Sequence, residues 1–206
     1  MANKPKTKAV LTAENEALKA QLEAMQKESA PADSGKNDEI EISMTKYIKV
    51  MSLCPNRLNL STESRRGKFK FNKFGEVKRV MYKDLVEVME LQDSFLQAGL
   101  FLILDKDVVR LHGLDDVYER ILDGGTIEKL ITGELSNEAL SLFLAAPVRQ
   151  QDAIVDLIIR KLVRDDESVD MNFVFAIEKG TDRSITQRVQ EAKEYNELNE
   201  KANKKN

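Results

Sequence analysis

Apolar residues recur along this chain with two different periods, and the change of period separates a strand-forming part from a helical one. "KYIKVMSL" (46–53) and "RLNLST" (57–62) have the alternating, β-branched character of strands, with Cys54-Pro55-Asn56 as the turn between them. "GKFKF" (67–71) alternates strictly, so Phe69 and Phe71 point one way while Lys68 and Lys70 point the other. "NKFGE" then supplies a glycine-containing loop and "VKRVMY" a return strand, in which Val80 and Tyr82 alternate with Arg79 and Met81. This pattern predicts a β-hairpin over 65–83. "LFLILDKDVVRL" predicts a second hairpin around Asp105-Lys106-Asp107.

The remaining globular segments follow the helical period. "LVEVMELQDSFLQA" carries Leu85, Val88, Met89, Phe95 and Leu96 on one stripe, with Gly99 placed to end the helix. "LDDVYERIL" is expected to end at Gly124-Gly125 and "TIEKLIT" at Gly133. "SNEALSLFLAA" starts with a serine cap, Ser136, and Pro147 opens "PVRQQDAIVDLIIRKLV". That last helix bears Ile154, Val155, Leu157, Ile158, Ile159 and Leu162, apolar over most of its surface, which predicts the central buried helix. "DMNFVFAIEKG" fits either a strand or a helical turn, and 181–206 reads as a polar helix with a thin stripe of Ile185, Val189, Ala192, Tyr195 and Leu198.

Residues 1–29 combine a basic tip with a segment rich in strong helix formers. There Leu11, Asn15, Leu18, Leu22 and Met25 are spaced 4, 3, 4 and 3 apart, the heptad spacing of a coiled coil. Asn15 at an a position fixes register and favours a parallel dimer, so self-association is expected through these five residues. Residues 30–39, polar and containing Pro and Gly, read as a flexible linker. The expected architecture is α+β: a small antiparallel sheet and then a helical half within 40–180, flanked by N- and C-terminal helical arms.

Charge adds a second division. The 206-residue chain has a net charge of −3, yet residues 65–83 hold eight Lys or Arg against one Glu. That window carries +7 and leaves −10 on the rest. Arg65, Arg66, Lys68, Lys70, Lys73, Lys78 and Arg79 are therefore the candidate contacts for a partner. A basic ribbon fits a phosphate backbone, an acidic protein surface, or solvent alone, since edge lysines also prevent strand aggregation. Buried Phe side chains would be lost as stacking platforms for bases.

Catalytic patterns are lacking in the sequence. His112 is the single histidine and Cys54 the single cysteine, and no phosphate-binding loop, nucleophile elbow or zinc-protease motif occurs. His112 reads as a hydrogen-bonded structural residue, Cys54 as a buried inert thiol, and "RDDESVD" (164–170) as a solvated loop. Neither a cofactor nor a metal is expected. No apolar run reaches the roughly 18–20 residues that span a bilayer, and "MANKPKTKAV" lacks the apolar core of a secretory signal. The expectation is a non-enzymatic cytoplasmic protein without a membrane span.

The layout "SLCPNRLNLST…GKFKFNKFGEVKRVMYKDL…GLFLILDKDVVRLHGL", within residues 46–114, resembles uncharacterised proteins encoded by tailed bacteriophages and related elements. The resemblance implies virion assembly or phage-encoded nucleic-acid handling, in the host cytoplasm or the virion, and carries no site residues. The resulting expectation is a self-associating assembly or adaptor protein that forms a homo-oligomer and contacts other protein subunits. The alternative is an oligomeric nucleic-acid-binding protein that uses the 65–83 ribbon.

Overall fold

The computed structural model describes residues 41–63, 68–135 and 137–203, and the chain is α+β. The heptad positions Leu11, Asn15, Leu18, Leu22 and Met25, the linker 30–39, Arg65, Arg66 and the expected cap Ser136 lie outside the described residues. Among the described residues, five strands form two antiparallel units. Strands β1 (Tyr47–Ser52), β4 (Val77–Met81) and β5 (Phe101–Ile103) make a three-stranded sheet in the order β4-β1-β5, while β2 (Leu58–Ser61) pairs with β3 (Lys68–Phe71).

This topology corrects the hairpin expected over 65–83. Both strands exist, but β3 pairs backward with β2, Leu58 facing Phe71 and Ser61 facing Lys68. Strand β4 pairs instead with β1, from Tyr47 opposite Met81 to Met51 opposite Val77. The basic ribbon is thus β2–β3, and Lys78 and Arg79 belong to a different sheet. Gly75, at φ +72°, does make a turn, but one that hands the chain from one unit to the other.

Alternation decides the faces. Ile48, Val50 and Val80 are almost wholly buried, and Tyr82 continues their side beyond β4. Leu58, Leu60 and Phe71 of the ribbon join the same core. The expected long helix after β4 is two: α1 (Tyr82–Leu91) and α2 (Asp93–Gln97). They break at Gln92, whose N–H still donates to the Val88 carbonyl.

The second expected hairpin is also replaced. After β5 the chain enters α3 (Lys106–Leu111), because Asp105 Oδ1 accepts from the amides of Asp107 and Val108 at 3.1 and 3.3 Å. An N-cap outweighs the β-branched character of Val108 and Val109. Helix α4 (Asp115–Arg120) ends before Gly124-Gly125, and these glycines open α5 (Gly124–Thr132) rather than closing a helix. Asp123 caps α5 from Oδ1, which accepts from Gly125 N at 2.8 Å and Thr126 N at 3.1 Å. Gly133 ends α5 in the left-handed conformation, as its position predicts.

The helical half contains α6 (Ala139–Ala145), α7 (Val148–Val163), α8 (Met171–Gly180) and α9 (Ile185–Asn203). Segment 170–180 is a full helix, capped by Asp170 onto Asn172 N at 2.9 Å. Helix α7 buries Ile154, Val155 and Ile158, and Phe143 meets Phe173 edge to face at 6.1 Å. The acidic 164–170 segment is largely exposed, as expected of a solvated loop, and within it Asp165 pairs with Lys193 and Asp166 with Lys161 at 2.8 Å. The C-terminal helix is not a free arm. Ile185 is fully buried, and Arg183 and Arg188 reach Asp152 and Asp156 of α7 at 2.9 and 2.8 Å. Exposed ion pairs of this kind add little energy, so burial of Ile185, about 1.5–3 kcal/mol, does most of the docking. Farther along, Tyr195 and Leu198 are both 66% exposed.

Two buried glutamines stand at the start of α7: Gln150 joins it to the sheet half, and Gln151 ties it to α6. Gln150 Oε1 accepts from Leu122 N at 2.9 Å, and its Nε2 donates to Leu122 O at 2.8 Å and Gly99 O at 3.2 Å. Gln151 Nε2 donates to the Ala146 carbonyl at 2.8 Å and that of Leu144 at 3.2 Å, near the end of α6. Gly99 must be glycine twice over, for its φ of +65° and because a Cβ would stand 2.7 Å from Gln150 Nε2. Gln150→Leu removes the partners of three backbone groups and is expected to cost at least about 2 kcal/mol. Urea denaturation checks this, and Gln150→Glu should destabilise as well because its second oxygen cannot donate.

Candidate functional site

The five described candidate cations do not form one surface. Lys68 and Lys70 are exposed on the open face of β3, across from Ser61 and Asn59, while Phe69 is half-buried and Phe71 fully buried beneath. Lys73 is exposed in the β3–β4 connection. Lys78 turns inward on β4, where Glu76 lies 3.3 Å away and the Phe71 ring centroid 5.7 Å away. The Asn72 amide and Lys78 together hold the Glu76 carboxyl below its ordinary range, with burial opposing them. Arg79 points to the opposite face of that sheet. Arg65 and Arg66, in the β2–β3 connection, lie outside the described residues.

The face that receives Arg79 is the more informative one. Pairing places three cross-strand rows on it: Val77–Met51–Leu102, Arg79–Lys49–Leu104 and Met81–Tyr47. The Val77 row is partly covered, since the start of α5 comes so close that a Cβ on Gly124 would sit 3.1 Å from Met51 Sδ. Toward Tyr47 the face is open. Tyr47 is 61% exposed, Leu104 44% and Val77 43%.

Lys49 and Arg79 face each other across the middle row. The Lys49 carbonyl accepts from Leu104 N on β5, so its hydrogen-bonding edge points away from β4. Lys49 and Arg79 are therefore a non-hydrogen-bonded pair, the arrangement that brings opposed side chains closest, and like charges there repel. Neither makes an ion pair among the described residues. Asp105, the carboxylate after Leu104, is already engaged by Lys46 at 2.9 Å. The Lys46 ammonium, with the Val108 and Asp107 amides and against the effect of burial, holds Asp105 below the usual carboxylate range.

Beside Leu104 the face runs into a cleft of about 650 Å³ between β5 and α4. Its apolar walls are Leu102, Leu104, Val109 and Ile121, and its rim sets Lys106 and Arg110 against Asp115, Glu119 and Asp123. Tyr118 closes one side. Its hydroxyl accepts from Ile103 N at 2.6 Å and donates to Ile103 O at 3.0 Å, and burial pushes its pKa up to about 12. Burial alone would raise the Asp123 carboxyl, but the Thr126 hydroxyl and the Thr126 and Gly125 amides outweigh it and hold the group low.

His112 Nε2 lies 2.8 Å from the Tyr82 hydroxyl, at the end of α3, in an edge-to-face ring contact. Cys54 Sγ contacts the Leu100 carbonyl at 3.7 Å, and burial pushes its thiol up to about 11, which keeps it protonated. No group of three or more His, Cys, Asp and Glu side chains able to hold a metal occurs among the described residues. No helix among them is long and apolar enough to cross a membrane.

Comparison with known families, curated proteins and solved structures finds no match. The surface must therefore be read from its own chemistry.

Tyr47, Lys49 and Leu104 escaped the basic-window reading because two of them are uncharged and Lys49 lies outside residues 65–83. The available signal was the other half of the β1 alternation, Tyr47-Lys49-Met51 against Ile48-Val50-Ser52. Lys49→Glu turns the repulsive row into an attractive one and is expected to stabilise the fold by about 0.2–1 kcal/mol. Denaturation at low and high salt checks this: the gain should shrink as salt screens the pair.

Proposed function

We propose that this protein is a non-enzymatic, self-associating assembly or adaptor protein that acts in the cytoplasm. The observation that supports this reading is the open face of the three-stranded sheet, with Tyr47, Val77 and Leu104 exposed around the unneutralised Lys49 and Arg79. An exposed apolar patch rimmed by charge is the usual mark of a protein contact. The resemblance within residues 46–114 to uncharacterised phage-encoded proteins agrees with a part in virion assembly, as a structural component. In this reading the heptad-spaced Leu11, Asn15, Leu18, Leu22 and Met25 bring chains together, and the α+β domain meets other subunits.

Deleting residues 1–30 is expected to lower the mass measured by light scattering while thermal unfolding of the domain persists. Asn15→Leu should strengthen association and loosen its stoichiometry, because an amide at an a position no longer penalises other registers. An identical mass for the full-length and truncated proteins would remove self-association through this segment.

The β2–β3 ribbon favours a second reading, nucleic-acid binding, through one observation. Lys68 and Lys70 stand exposed beside Asn59 and Ser61, a set of donors suited to phosphate oxygens. If they contact phosphates, replacing each with Glu lowers the log K against log salt slope by about 0.7–0.9 and weakens all sequences alike. Fold stability should stay within about 0.5 kcal/mol of the parent. A parent protein with no measurable affinity for DNA or RNA at low salt rejects this reading.

A further inference from the structure

We infer that the open sheet face and the adjoining cleft form a docking site for a short acidic, apolar segment of another protein. The inference rests on the adaptor reading and names the chemistry of the partner. Two features of the face specify it. The row Arg79–Lys49–Leu104 sets two like charges side by side and then a leucine that leads into the cleft. A carboxylate laid between Lys49 and Arg79 converts their repulsion into two charge-assisted contacts. An apolar side chain beside Leu104 enters a cleft walled by Leu102, Val109 and Ile121.

Geometry fixes how far apart these two groups stand on the partner. Neighbouring strands are about 4.8 Å apart, so the three-strand row spans about 10 Å from Arg79 to Leu104. Side chains three or four residues apart on a helix are about 5–6 Å apart at Cβ. The midpoint of the cation pair is therefore about 7 Å from Leu104, which an extended segment with an Asp or Glu two residues from a bulky apolar residue matches. One helical turn between the two side chains falls about 1–2 Å short of it.

The same features argue against the other occupants. A second copy seated face to face by a two-fold axis would bring Lys49 and Arg79 against their own copies, adding repulsion where the face already has it. A nucleic acid would find one aromatic platform, Tyr47, and two cations, and its evenly spaced phosphates would then meet a rim of mixed sign, Lys106 and Arg110 among Asp115, Glu119 and Asp123. A segment with one or two carboxylates at the cation pair and an apolar anchor in the cleft avoids both penalties.

The test pans the full-length protein against a random dodecapeptide library, then measures resynthesised peptides by fluorescence anisotropy. Enriched peptides should carry an Asp or Glu within four residues of a Leu, Met or Phe. Their affinity should fall at least about tenfold for Lys49→Glu, the effect expected of losing a close charge contact. Leu104→Ser should weaken the same peptides, whereas Lys68→Glu on the ribbon should leave them unchanged. Lys49→Glu is informative because it replaces a repulsive pair and should melt no lower than the parent. Enriched peptides without acidic residues, binding indifferent to Lys49→Glu, displacement by single-stranded oligothymidylate, or no enrichment at all would each overturn the site. A mass that drops on Lys49→Glu would assign the face to a second copy instead. Self-association read from the 1–30 deletion is independent of all these outcomes, so the docking site and the assembly role fail separately.

Discussion

The amide of Gln150 is the constraint around which the two halves of this domain are arranged. It sits in the first turn of the helix that carries Ile154, Val155 and Ile158, and it pairs with both backbone groups of Leu122. Its remaining donor reaches Gly99, where the chain turns from α2 toward β5. One side chain thereby ties the helical half to the sheet and to the segment that walls the cleft. Because all three partners are backbone groups, the geometry is fixed by the chain path itself. A second tie, from Arg160 to the Pro55 carbonyl and the Asn56 side chain, holds the same helix to the β1–β2 connection.

This arrangement sets where the sheet can be open. Helix α5 begins at Gly124, two residues beyond the clamped Leu122, and its glycine start lets it come close to Met51. The covered part of the face stops there, and no other described element covers the row with Lys49 and Arg79. The positive charge so conspicuous between residues 65 and 83 is dispersed by folding: Lys78 is spent on Glu76 and Phe71, and Lys68 and Lys70 decorate the ribbon. The pair left in tension combines Arg79 from inside that window with Lys49 from outside it.

Much of this was legible in the sequence, and the failures share a physical cause. Alternation correctly gave the buried and exposed faces of β3, and the apolar density of 148–163 correctly marked a core helix. Strand partners were not legible, because β4 presents the same alternation to β1 as it would to β3, and a glycine turn looks alike in both cases. Helix starts were misread where an Asp cap adjoins residues of opposite propensity, valines after Asp105 and glycines after Asp123. In both cases the side-chain hydrogen bonds of the cap outweigh the residues that follow. The open face needed pairing information, since Lys49, Arg79 and Leu104 are brought into one row from segments far apart in the chain.

The Tyr118 hydroxyl, bonded to both the N–H and the C=O of Ile103, has a consequence for how copies of this protein coexist at high concentration. A three-residue outer strand rich in Phe, Leu and Ile is a template for runaway pairing with any extended chain nearby. Here a phenol from the next helix but one stands where that neighbour's backbone would be. Sheet growth from this side is blocked at the position where a fibril would begin. Any contact made on this side has to use side chains, which do not propagate as a backbone ladder does.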